Sequence, residues 1–275
     1  LRDFIDPNQV NLRAKPKNRE SLFISAENSH LISYENLSHL QPEMQDAFCT
    51  LATGGGFADR MLYTNKEESI IDVKRPVILN GISVLVTAQD LLDRTIHIDL
   101  PRIQNRKTEK QIEKEISKNK GTIWAGLLDL LADSLKILPS VKIGTKALSR
   151  MADFTYLGEA VYRSLGKAEG NFLADYKANS YEGVHRTINS SPVASKLIDF
   201  IDNALNQEFK GTIGVLFDEL NDMSRHEDAW PKSARGFGSS LRRMAPSLRT
   251  LGYKVQIAEK RSNDGYRCLI RKVSE

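Results

Sequence analysis

An α/β segment, then an all-helical segment, then a compact set of helices closed by a basic β-hairpin is the architecture this sequence predicts. Three observations predict it. Strand-like and helical apolar runs alternate before about residue 106, and the period is helical from Lys107. Pro139 and the Ser190-Ser191-Pro192 sequence punctuate the helical run. Positive charge is concentrated at the carboxyl end. The 275 residues allow two or three modules at about 100 to 200 residues each, and the punctuation divides them as 1–106, 107–190 and 191–275. There is no self-similar period of the kind a solenoid needs. Charged residues at 27% and hydrophobic ones at 40% match the globular average, which excludes disordered and fibrous classes for the whole chain. The longest apolar stretch, 123–138, is cut by Asp129 and Asp133 and is shorter than the roughly 20 residues of a membrane span, so no membrane partner is expected. Neither a starting Met nor a basic-then-apolar leader is present at Leu1. Cys49 and Cys268 lie 219 positions apart, which fits reduced thiols in a cytoplasmic protein better than a disulfide framework or a metal site.

The elements follow in order. A polar, Pro-interrupted opening, "DPNQVNLRAKPKNRE", leads to the short apolar run Leu22–Ser25, which reads as a strand. "HLISYENLS" reads as a second strand, ending in Glu35 and Asn36. Met44, Phe48 and Leu51 are spaced as on a helix over 42–52, and Gly54-Gly55-Gly56 breaks it. "RMLYT", the polar tip "NKEES" and "IIDVKRPVILNGIS" read as a hairpin feeding a buried strand that ends in Asn80. In the second module, "KTEKQIEKEISKNK", "TIWAGLLDLLADSLKIL", "TKALSRMADFTYLGEAVYRSLG" and "FLADYKANSYEGVHRTI" read as successive helices.

Residues 231–275 hold eleven Lys and Arg against three Asp and Glu, a balance of +8 that leaves −4 for the rest of a chain whose net charge is +4. So concentrated a field favours a polyanionic partner. Within this third module, "VASKLIDFIDNAL" and "TIGVLFDELNDMS" read as helices, and a third helix starts near Lys232. "YKVQIAEK" and "YRCLIRKVS" flank a Ser262-Asn263-Asp264-Gly265 turn, whose glycine supplies the positive φ of a tight hairpin. Three helices and a basic hairpin spell a winged helix-turn-helix. On the third helix Phe237, Leu241, Met244, Leu248 and Leu251 fall within about 80°. Lys232, Arg235, Ser239, Arg242 and Arg249 cluster opposite, within about 100°. Arg243 flanks that basic face, and Lys260, Arg261 and Arg267 sit on the hairpin, where a second contact to the duplex backbone is needed. Arginines outnumber base-reading amides, so the expected partner is DNA bound mainly through its phosphates. Pro246 is expected to kink the third helix near Arg242 or to split it.

The string "ENLS…TGGGFADRMLYTN…RPVILNGI…DLLDR…RMADF" resembles the ATPase domain of phage, plasmid and mobile-element primase-helicases, relatives of the AAA+ and superfamily 3 helicases. The resemblance covers about residues 1–166, and the third module resembles the winged helix that follows the ATPase in that group. It implies a partial AAA+ P-loop NTPase core, a helical lid, and a hexameric ring that binds ATP and Mg²⁺ between subunits. Glu35 takes the place of the Walker B acid and metal ligand, with Asn36 beside it, and Asn80 that of the first sensor. Arg94 in "DLLDR" looks like the finger reaching a neighbouring subunit's nucleotide, Arg150 in "SRMADF" like the second sensor, and Lys66 like the pore-loop cation that touches single-stranded DNA.

Two departures bound the transfer. The acid position carries Glu35, where relatives have Asp. No G-x-x-x-x-G-K-[ST] occurs in the 275 residues, and the nearest decoy, Gly166-Lys167, continues into Ala168. The resemblance therefore places the phosphate loop upstream of Leu1 and makes this chain inactive alone. The expected function is the distal part of an ATP-dependent DNA helicase or primase-helicase of a mobile element. The alternative is a non-enzymatic winged-helix regulator or replication initiator on a degenerate ATPase scaffold.

Overall fold

The computed structural model describes residues 1–60, 68–222 and 230–273. They form two compact units, one of Leu1–Leu85 with Asp93–Ser180, the other of Val86–Leu92 with Tyr181–Glu275. No helix among the described residues is long and apolar enough to cross a membrane.

The first unit begins with a single turn, α1 (Arg2–Ile5). Asp6 anchors it: its carboxylate pairs with Arg2 at 2.7 Å and accepts the backbone N–H groups of His30 and Leu31 at 2.7 and 2.9 Å. Those bonds, with Arg2 beside it, hold its carboxyl below the ordinary aspartate pKa. Next comes α2 (Arg19–Glu27), where the sequence reads as a strand at Leu22–Ser25. A four-residue apolar run carries no period of its own, and the capping box closed by Asn18 and Ser21 decides for helix. Leu22, Phe23 and Ala26 are its buried face. β1 (Ile32–Tyr34) follows, then α3 (Pro42–Thr53), which Pro42 opens and Gly54 closes at φ 82°. β2 (Gly56–Arg60) pairs antiparallel with β3 (Glu68–Asp72), from Gly56 opposite Asp72 to Arg60 opposite Glu68. β4 (Val77–Leu79) then returns beside β1 in parallel, with Tyr34 opposite Leu79. Phe23 stacks on Phe57, and Tyr34 meets Phe48 edge to face beneath the strands.

A short helix, α4 (Gln89–Leu92), belongs to the second unit. The first resumes with an extended segment whose His97 is gripped from both sides: the Asn179 side chain accepts its N–H at 2.9 Å and donates to its carbonyl at 2.7 Å. α5 (Glu109–Ile137) is one helix of 29 residues, where the sequence reads as two. Its Thr108–Gln111 capping box starts it, and the interior Gly121 costs only about 1 kcal/mol against alanine. α6 (Ala152–Ser164) packs on α5, and α7 (Asn171–Asn189) contributes Phe172 and Tyr176 to a ring cluster with Phe154. The residues of α7 up to Ser180 belong to the first unit and those from Tyr181 to the second.

The second unit contains α8 (Pro192–Asn203), β5 (Glu208–Thr212), α9 (Ile213–Asp222), α10 (Ala234–Thr250), β6 (Tyr253–Ile257) and β7 (Arg267–Lys272). The strands form an antiparallel sheet in the order β5-β7-β6. β5 has no counterpart in the sequence reading, because "EFKGT" offers Phe209 alone to an alternating pattern. Leu197, Ile201, Leu216, Leu220, Phe237, Leu241, Leu248 and Ile270 form the core. Thr187 donates to the Val86 carbonyl at 3.1 Å and Ser247 to Gln89 at 2.7 Å, which ties the 86–92 piece in. α10 runs unbroken through Pro246, so the expected split does not occur. Helix packing on both sides of the proline outweighs its lost hydrogen bond.

Candidate functional site

Glu35 and Asn80 emerge together. Tyr34 faces Leu79 across the parallel ladder, so the next residue on each strand is Glu35 or Asn80, at the carboxyl ends where parallel strands present ligand-binding groups. The Asn80 N–H donates to the Tyr34 carbonyl at 2.9 Å, and the Leu37 N–H returns to the Asn80 carbonyl at 3.0 Å. On the other side, the Arg13 N–H donates to Ser33 and its carbonyl accepts from Glu35 at 3.0 Å. Glu35 is half-buried, Asn36 and Asn80 are exposed. Asn36 adopts φ 53°, a left-handed conformation that asparagine tolerates better than most residues, and this turns the chain sharply after the acid. Gly81 permits the crossing of the two loops: a Cβ there would lie 2.2 Å from the Leu37 carbonyl oxygen. Neither Arg13 nor Gly81 is marked in the sequence, since an isolated arginine in a polar stretch and a glycine after a strand are both commonplace.

Among the described residues no group of three or more His, Cys, Asp or Glu converges to hold a metal ion. One half-buried carboxylate open to solvent nevertheless fits Mg²⁺, which is usually held by one or two carboxylates together with phosphates and water.

Arg150 pairs with Asp93 at 3.7 Å, and Asp93 is the chain neighbour of the half-buried Arg94. The structure thus sets Glu35 and Asn36 beside Asn80 at the strand ends, and pairs Arg150 with Asp93, the residue before Arg94. Lys66 lies outside the described residues.

In the second unit Lys232, Arg235, Arg242, Arg243 and Arg249 are all exposed, while Phe237, Leu241 and Leu248 are buried and Met244 and Leu251 half-buried. Lys260, Arg261 and Arg267 are exposed on the β6–β7 hairpin. Its tip closes with reciprocal backbone bonds between Ser262 and Gly265 at 3.0 and 3.1 Å, the glycine at φ 118°. Beneath this surface the sheet is apolar, and burial raises the Cys268 thiol to about 11.

The family model of an actinomycete integrative conjugative element replication protein matches residues 1–180, and that of the RepA C-terminal domain of these elements matches residues 193–274. The chain belongs to this replication-protein family. No curated protein matches it. This replication protein of a mobile element thus has its first family segment ending at Ser180, where its first compact unit ends. The second segment begins at Val193, inside α8.

Proposed function

We propose that this replication protein grips duplex DNA with α10 and the β6–β7 hairpin, and that its first unit contributes the acid and sensor half of an ATP site in a ring-forming DNA motor. The observation that carries the DNA reading is the sorting of α10, whose arginines face solvent while its apolar stripe is buried. The helix–strand–helix–helix–hairpin order of the second unit, with the hairpin's second strand central in the sheet, supports the winged-helix reading. Phosphate-dominated binding follows from the predominance of Lys and Arg on that surface.

The motor reading rests on Glu35 and Asn80 leaving adjacent parallel strands at one end. Bound ATP and Mg²⁺ would supply the phosphoryl chemistry. Glu35 would hold the cation, and Asn80 would orient water or the terminal phosphate. Arg94 would act on the nucleotide of an adjoining subunit in a homo-oligomeric ring, and Arg150 would sense it from the helical part. A second reading, a non-enzymatic initiator or regulator, is favoured by the lack of any G-x-x-x-x-G-K-[ST] in these 275 residues.

Binding of the full chain to a labelled duplex, followed by anisotropy from about 50 to 200 mM salt, tests the conclusion. Log K should fall steeply with log salt, and Arg249→Ala and Arg261→Ala should each make the slope shallower by about 0.9 for every phosphate left without its cation. A salt-insensitive affinity, or slopes unchanged in both variants, overturns it.

A further inference from the structure

Where the hairpin meets α10, the Arg242 guanidinium lies over the Tyr266 ring, 5.0 Å from its centroid. The contact is built from several sides. The Tyr266 carbonyl accepts the Ile213 N–H at 2.9 Å, which fixes the base of the hairpin to the first residue of α9. Gly238 lets α10 approach that same residue: a Cβ there would sit 3.2 Å from the Ile213 side chain and 3.8 Å from Arg242 Nη1. Arg242 therefore runs back along its own helix, over the gap left by a glycine one turn earlier, and ends over the ring of a residue whose backbone is bonded to the neighbouring helix. Arg242 and Tyr266 are both exposed, so the pair remains open to solvent.

We propose that Tyr266 is a positioning residue for DNA recognition: its ring presents Arg242 to a backbone phosphate and joins α10 and the hairpin into one grip on the duplex. This rests on the reading of the second unit as a duplex-DNA binder. An unheld arginine has many rotamers to lose when it meets a phosphate, and one whose guanidinium already rests over an aromatic ring has fewer. A guanidinium held over a ring by its charge still has N–H donors to offer to phosphate oxygens. Tyr266 adds no charge of its own. Its effect on DNA is expressed through Arg242, which separates this role from that of an independent contact.

The full chain, its Tyr266→Phe, Tyr266→Ala, Tyr266→Leu and Arg242→Ala variants, and the Arg242→Ala/Tyr266→Ala double variant are compared for duplex affinity at fixed salt. Tyr266→Phe should bind as the parent does, because the ring is kept. Tyr266→Ala and Tyr266→Leu should each bind roughly 2- to 5-fold more weakly, the loss set by an exposed cation–π contact. The double variant should bind no more weakly than Arg242→Ala alone. Leucine keeps apolar bulk at the site, so it preserves the test if the alanine variant fails to fold. Parental affinity in Tyr266→Leu, or additive losses in the double variant, overturns the role given to Tyr266. A parent chain that does not bind duplex at all overturns the DNA reading itself, an outcome distinct from either.

Discussion

Asp6 shows how one side chain can help dock a short segment, residues 1–6, against the body of its unit. Its carboxylate collects Arg2 and two backbone N–H groups, and its folded pKa is depressed. A depressed carboxyl stabilises the folded state above its unfolded pKa, and the contribution disappears as pH falls through the folded value. Docking of residues 1–6 should therefore loosen as pH drops below about 4. Asp6→Asn should remove that acid dependence while leaving residues 1–6 more loosely docked at neutral pH. Amide hydrogen exchange at His30 and Leu31 checks both, and an unchanged acid profile in the variant contradicts the assignment. At Gly81 the reason for a residue is a single distance, that of a missing Cβ to the Leu37 carbonyl. Neither role is visible in sequence, because each depends on a partner more than 20 positions away.

Among the elements, α6 is fixed by Gly158, where a Cβ would fall 2.1 Å from the Phe172 ring of α7. Alanine there regains up to about 1 kcal/mol of helix propensity but overpacks the contact by roughly 1–3 kcal/mol. A net loss of about 1–2 kcal/mol is expected, measured as an earlier denaturant midpoint; an unchanged or later one shows that Phe172 moves aside freely. Long periodic stretches were legible: α3, α7, α8, α9 and α10 lie where their apolar spacing puts them, and the hairpin turn lies at Asp264-Gly265. Short ones were not. Leu22–Ser25 is decided by a cap, β5 by the edge of β7 it pairs with, and the continuity of α5 and α10 by packing that outweighs a glycine or a proline. The adjacency of Glu35 and Asn80 was expected from element order. Arg13, Gly81 and Tyr266 join their sites only through the tertiary fold.

For the whole molecule, the charge asymmetry becomes an exposed basic surface on the second unit, while the polar residues expected to handle nucleotide lie in the first. In the motor reading the two surfaces serve one cycle, and Arg94 links subunits. In a chain that also carries a phosphate loop, Arg94→Ala should lower ATP turnover by about 10³- to 10⁵-fold while leaving nucleotide affinity nearly intact. Loss of affinity with turnover preserved would rule out its role as a finger. The second unit is assembled from two stretches of chain, Val86–Leu92 and Tyr181–Glu275, with Asp93–Ser180 between them. During synthesis the short first stretch leaves the ribosome 88 residues before its partners, and closing a loop of that length costs roughly 4 kcal/mol beyond a constant in the ideal-chain limit. Val184 and Ile188, both buried, are also severed by any cut at the Ser190-Ser191-Pro192 turn. A piece trimmed there would begin life without its own keystone, so the part of this chain proposed to grip DNA would mature late and in the company of nearly everything made before it.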